Sequence, residues 1–249
     1  MAPIGMSPSV VTEFLQYVDD YLDQRVSELT VIATEEIMVR DSVILVEASV
    51  KKYPYVHIHV VELPLSNIST QEDSLEFMRI CAEILREQRE VHKVDRMYLC
   101  VAGGRKDMCI GLALLGQYFG ISGVHHVIMH DVKAYNVQLE RFRHAISELA
   151  SSSDKDGYHE KSREAFEDLM FPHPSSYAVI KVPIIPYPRT ALNDIVALLR
   201  RTKALRRIDS WLPLDVLERM SISGLIKLTS NRIYVTDEGR QMSKILSGV

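Results

Sequence analysis

Residues Val94–Asp107 read VDRMYLCVAGGRKD, and this stretch decides the fold. Met97–Ala102 is an unbroken apolar run of strand length. Gly103 and Gly104 permit positive φ and let a ligand come close to the backbone. The segment that follows, DMCIGLALLGQYFG, returns its apolar residues at helical spacing. A strand, a glycine turn and a helix in that order leave free N–H groups and a positive dipole end beyond the strand. An anion suits such a turn, and Arg105 and Lys106 on it suggest phosphate. The plainer alternative is an ordinary strand–helix turn with two solvated cations.

Working outward, the same alternation recurs on both sides. Met1–Gly5 reads as the end of a short strand, and an amphipathic helix follows over about 8–24. Pro8 suits its first turn, and Ser7 suits its N-cap. Leu29–Thr34 is a second apolar strand, after which Thr34 and Glu35 open a helix reaching Val50. Tyr55–Leu63 is a third strand. Thr70 caps a long helix, QEDSLEFMRICAEILREQREVH, with its acids at the front as the dipole prefers. Val124–Met129 is a fifth strand, and a helix is expected over 136–149. Five apolar strands alternating with helices predict a parallel sheet covered on both faces, an α/β, Rossmann-like domain over 1–150. Ligands of such sheets collect at the carboxyl ends of strands, at the switch point of strand order. Those ends carry Ser7, Thr34 with Glu35, Leu65 with Ser66, Gly103–Lys106, and His130 with Asp131. His130 and Asp131 also suit a structural or capping role.

Residues 151–188 are expected to be a loop or insertion plus a connecting strand. Ser151–Tyr158 (SSSDKDGY) is polar, and Pro172 and Pro174 break the stretch up to Ser176. It is either a tolerated surface loop or a lid near the site. Ala178–Ile185 is apolar, and Pro183 makes it an edge strand. From Thr190 the pattern changes to short helices, then GLIKLTSN, RIYVTDEG and a terminal helix. Helix, strand, turn at Asn231, strand and helix predict a winged helix-turn-helix domain over 189–249.

Composition narrows the chemistry. The 249 residues are 47% hydrophobic and 25% charged, as in a soluble globular protein. The net charge of −4 divides into +5 over 189–249 and −9 over 1–188, which permits a DNA contact through the C-terminal part. No apolar run reaches membrane-spanning length and no signal peptide is evident, so no membrane partner and a cytoplasmic location are expected. Cys81, Cys100 and Cys109 lack metal spacing and suit buried packing in a reducing compartment. His57 and His59 alternate on a strand and suit partly buried sheet positions. His125 and His126 face opposite sides of theirs and do not share one metal easily. There is no G-x-G-x-x-G, no Walker A run, no HExxH and no nucleophile elbow. No cofactor and no metal are expected.

Gly5-Met6-Ser7-Pro8 at the first turn, Gly103-Gly104-Arg105-Lys106-Asp107 at the fourth, and the C-terminal winged helix together resemble the CARF (CRISPR-associated Rossmann fold) proteins. Within them, the resemblance is to the compact archaeal ring nucleases of type III CRISPR systems, and it covers nearly the whole chain. It implies a homodimer with one two-fold pocket for cyclic tetra-adenylate, each subunit reading half of the ring. It also implies metal-independent cleavage, in which the ribose 2′-OH attacks its own phosphate. The products are linear di-adenylates ending in 2′,3′-cyclic phosphate, and the signal for antiviral defence is switched off.

On the same resemblance Ser7 positions the 2′-OH, and Lys106 stabilises the phosphorane and the leaving oxygen. Met6, Pro8, Ser9, Gly103, Gly104, Arg105 and Asp107 are then expected to bind the ring, joined by Thr34, His130 and Asp131 at neighbouring strand ends. Met6 stands where a small or hydroxyl residue is common, and Ser9 supplies a second hydroxyl near Ser7. The alternative function is a CARF/winged-helix transcription regulator that binds the ring without cutting it. Against it, LPLDVLERMS carries Asp215 and Glu218 beside one Arg219, poor for phosphate contact. An effector nuclease is weaker still, because no separate nuclease domain follows residue 150.

Overall fold

The computed structural model describes residues 1–185 and 188–247. Pro186 and Tyr187 in the expected link, and Gly248 and Val249 of the expected C-terminal domain, lie outside the described residues. The chain runs β1 (Ala2–Pro3), α1 (Ser9–Gln16), β2 (Glu28–Ala33), α2 (Ile37–Val50), β3 (His57–Glu62), α3 (Gln71–Glu90), β4 (Tyr98–Cys100), α4 (Lys106–Phe119), β5 (Gly123–Met129) and α5 (Val132–Ser151). It continues through α6 (Lys155–Lys161), α7 (Arg163–Met170), β6 (Tyr177–Val182), α8 (Arg189–Leu199), β7 (Leu205–Arg206), α9 (Leu214–Ile222), β8 (Ile226–Leu228), β9 (Arg232–Val235) and α10 (Asp237–Ser247). Two compact units result. One comprises residues 1–74, 96–116 and 121–184, the other 75–95, 117–120 and 185–249.

In the first unit β1 pairs in parallel with β2, and β2 with β3. β4 pairs in parallel with β5, and β5 antiparallel with β6. Backbone bonds from Cys100 N to Met1 O and from Met1 N to Tyr98 O, both 2.9 Å, tie β1 to β4. The order across the sheet is therefore 3-2-1-4-5-6, the Rossmann order, with its last strand reversed. After β3 the chain returns to the middle and enters β4 beside β1. The switch point thus lies between β1 and β4, where their carboxyl ends release the two glycine turns.

The helices cover this sheet because their apolar residues recur at helical spacing. On α1 and its continuation these are Val11, Phe14, Leu15 and Val18, all buried. Burying each such side chain contributes about 1.5–3 kcal/mol. The continuation is one wide turn over Tyr17–Tyr21, in which Leu22 N reaches back to Tyr17 O at 3.1 Å. The first turns of α1 are buried nearly all round: Ser9, Thr12 and Glu13 are inside as well. Phe14 packs on the ring of His125 in β5, and the Thr12 hydroxyl donates to Met170 O on α7. The core of this unit joins α1, β2, α2 and α5 to Phe166, Leu169 and Met170 of α7.

The stretch after 150 is not the loop that its polarity suggests. α5 runs on to Ser151, and α6 and α7 follow at once. Asp154 starts α6 by accepting from Gly157 N at 2.9 Å, and Phe166, Leu169 and Met170 hold α7 in the core. Further differences concern helix starts. α2 begins at Ile37, not at Thr34, because β2 carries Thr34 into the interior at its end. α5 begins at Val132, capped by Asp131. α1 begins at Ser9, behind a Pro8 of helical φ and ψ, and no side chain caps it; Ser7 is not its cap. Thr70 does cap α3: its Oγ1 accepts from Asp73 N at 3.1 Å, while Asp73 Oδ2 accepts from Thr70 N at 2.9 Å. His57 and His59 on the edge strand β3 are exposed rather than partly buried, and His59 Nε2 meets Glu28 Oε2 at 2.6 Å. Pro183 falls just past β6, which is an edge strand.

In the second unit β7, β9 and β8 form an antiparallel sheet in that order. Leu198, Leu199, Leu205, Leu212, Leu217, Met220, Ile226 and Ile233 make its core. The order α9, β8, turn, β9, α10 follows the sequence pattern. Gly224, at φ +77°, ends the turn after α9. Gly239 lets α10 approach Leu225, whose carbonyl oxygen would lie 2.1 Å from an added Cβ.

Candidate functional site

Three glycines bring the first and fourth strand–helix turns into contact. A Cβ on Gly103 would lie 2.1 Å from the carbonyl oxygen of Pro3, which no side chain tolerates. Gly104 has φ +76°, and a Cβ there would meet Met108 Sδ at 2.9 Å. A Cβ on Gly5 would stand 3.3 Å from both N and Cα of Gly104. The turns of β1 and β4 are thus backbone against backbone, at the switch point where sheets of this order take ligands.

Two side chains at this seam have no structural duty. Ser7 is half-buried, two residues past Gly5, and among the described residues its hydroxyl neither caps α1 nor makes another hydrogen bond. Lys106 is the first residue of α4 and is exposed, with no carboxylate partner among the described residues. A cation at a helix N-terminus opposes the dipole, typically by about 0.3–1 kcal/mol. An ammonium kept there is unfavourable for the helix alone and favourable once an anion sits on the turn. Arg105 is exposed and leans toward Glu36, Nη2 to Oε2 3.8 Å, at the end of the β2 turn. Asp107, half-buried in the first turn of α4, has an Oδ2 with neither water access nor partner. The Cys109 thiol donates to Gly103 O at 3.1 Å and so supports the turn from behind.

The other expected residues divide. Met6 is exposed beside Ser7, and Pro8 is buried. Ser9, the second hydroxyl, is 1% exposed and points into the interior, donating to Tyr135 Oη at 2.7 Å. It is therefore engaged where Ser7 is not. Thr34 is buried at the end of β2. Asp131 Oδ1 accepts from Ala134 N at 2.9 Å as the cap of α5, and His130 Nδ1 meets Ser175 O at 3.0 Å. Both nevertheless line a cleft of about 470 Å³ at the carboxyl end of β5, with Tyr135, Gln138, Phe171 and His173. Among the described residues no three His, Cys, Asp or Glu side chains gather as metal ligands, and no helix is long and apolar enough to cross a membrane.

Residues 7–214 match the protein family described as CRISPR-associated protein NE0113. The chain belongs to the NE0113 family of CRISPR-associated proteins. The match begins at Ser7 itself and takes in both glycine-turn helices. No curated protein matches the chain. In this NE0113-family protein three residues of interest escape a reading of the sequence: Glu36, which meets Arg105, the buried Glu13, and the half-buried Tyr135. Glu13 gives one signal. It stands next to Phe14 and two residues from Val11, on the side of α1 that the apolar residues mark for burial, an unusual place for an acid.

Proposed function

We propose that this protein is a ring nuclease of type III CRISPR defence. It binds cyclic tetra-adenylate across a homodimer and cleaves it without a metal to linear di-adenylates with 2′,3′-cyclic phosphate ends. The observation that carries this reading is the pair of unoccupied groups at the switch point. A half-buried Ser7 hydroxyl and a Lys106 ammonium placed against its own helix dipole flank turns locked together by glycine. In the reaction the ribose 2′-oxygen gives up its proton to water and forms a bond to the adjacent phosphorus, and the bond from phosphorus to the 5′-oxygen breaks, the leaving oxygen taking a proton from water. Ser7 orients the 2′-OH in line. Lys106, Arg105 and the N–H groups after Gly103 hold the negative charge that grows on the phosphorane and the leaving oxygen. Membership in a CRISPR-associated family supports the setting.

Labelled cyclic tetra-adenylate incubated with the purified protein and EDTA tests the proposal. Linear products, absent with Lys106→Ala, are the expected result. A ring that is bound but left intact over a long incubation would establish the regulator instead. In that case the second unit, read as a winged helix, is the part to examine on DNA. The acids Asp215 and Glu218 on α9 argue against a major-groove helix there.

A further inference from the structure

The buried side of α1 holds an acid that packing alone does not explain. Glu13 is 1% exposed, and its Oε1 has no hydrogen-bond partner among the described residues. Burial pushes its pKa up to about 7, with the Ser9 hydroxyl acting in the other direction. Ser9 lies one turn back on the same helix and donates to Tyr135 Oη, and Tyr135 lines the cleft with Asp131 and Gln138. Residues four apart on a helix are neighbours, so the carboxyl group lies beside Ser9, and Ser9 and Tyr135 lead from it to a cleft at the carboxyl end of β5.

A hydroxyl both donates and accepts, so this line has two polarities. When Glu13 is ionised, Ser9 donates to the carboxylate, Tyr135 donates to Ser9, and only phenol lone pairs are left over. When Glu13 is protonated, Ser9 donates to Tyr135, and the phenolic O–H is released. Among the described residues no cation pairs with the ionised form. The titratable groups that face Glu13 are Cys100 on β4, Tyr135 on α5 and Tyr177 on β6, each held neutral by burial. Arg143 on α5 acts on Tyr135.

We infer that Glu13 is a positioning residue acting through Ser9 on Tyr135, and that its proton decides whether Tyr135 offers a donor or an acceptor to a ligand in the cleft. The ligand side of this inference rests on the ring-binding function proposed above. Binding a ring edge that needs a donor then draws a proton onto Glu13, and affinity depends on pH.

Carbon-13 NMR of tyrosine-labelled protein tests the switch in the free protein. The Cζ resonance of Tyr135, assigned by its loss in Tyr135→Phe, is expected to move between pH 5 and 9 with a midpoint near 7. It should be flat in Glu13→Gln. Ser9→Ala, which cuts the line without touching the acid, should also flatten it and serves if Glu13→Gln does not fold. A Tyr135 signal that is flat in the wild type, or still moves in Glu13→Gln, overturns the inference.

In a second arm, the affinity for cyclic tetra-adenylate should change several-fold across the same midpoint in the wild type and in Ser7→Ala, and not in Glu13→Gln. A moving Tyr135 signal with pH-independent affinity removes the ligand-facing role. A ring that never binds refutes the proposed function, and the Tyr135 signal alone then decides the switch. Thermal stability gives an independent sign. Glu13 has a raised pKa in the folded state, so its contribution is full below pH 4.5 and is lost as pH rises toward about 7.

Discussion

The two ends of the first unit's sheet treat charge in opposite ways. At the amino ends of the strands, where α2 finishes, a cleft of about 350 Å³ is lined by Lys51, Lys52, Asp156, His159, Arg163 and Glu167 among others. Its charges are matched. Lys51 meets Asp156, Lys52 meets Glu167 at 2.7 Å, and Arg163 sits between Glu160 and Glu167 at 3.3 and 3.8 Å. At the carboxyl ends Lys106 has no such match among the described residues, and the helix it begins repels it. The amino-end cleft looks more like a site, with Ser49 Oγ 3.3 Å from His159 Nε2. Yet its charged groups tie α6 and α7 to α2, and the carbonyl end of α2 beside them repels an anion. What marks the proposed ligand site is not density of charge but charge left unmatched.

This contrast can be broken most directly at Lys106. Lys106→Ala should lower ring cleavage by about 100–1000-fold, as expected for one transition-state donor. Its thermal midpoint should stay level or rise, since a misplaced cation is removed. A clear fall in stability would make Lys106 structural and dissolve the contrast. Gly103→Ala should come next, costing about 2–3 kcal/mol in urea denaturation, because its Cβ cannot coexist with Pro3 O. Asp131→Ala should cost about 1 kcal/mol by the same measurement, as the loss of a helix cap. The smallest effect belongs to the matched end. Lys51→Ala with Lys52→Ala should change stability by no more than about 1 kcal/mol and leave ring cleavage unaltered. Loss of cleavage in that double variant would show that the amino-end cleft takes part.

The features legible in the sequence were those set by neighbours along the chain. Five strands, the glycine turns and the edge strand before Pro183 follow from apolar runs and backbone chemistry over a few residues. The place of the candidate site follows too, since Gly5–Ser7 and Gly103–Lys106 both follow strand ends. Segments whose local chemistry is ambiguous read less well. SSSDKDGYHEK is polar enough for a loop, but Asp154 can accept from Gly157 N, and α7 has a buried side that only the folded core supplies. The duty of Ser9 was hidden because Tyr135 lies 126 positions away. The same holds for Glu36, placed by the β2 turn beside an arginine from the β4 turn.

The contact between Gly5, Gly103 and Gly104 carries one more consequence. None of the three has a side chain to offer a substrate, yet together they allow β1 and β4 to touch where they end. A saturation scan scored on ring turnover should find these positions among the least forgiving in the chain, alongside groups placed at the reacting atoms. What such a scan would detect there is the floor of the proposed binding site, built from the absence of three methyl groups.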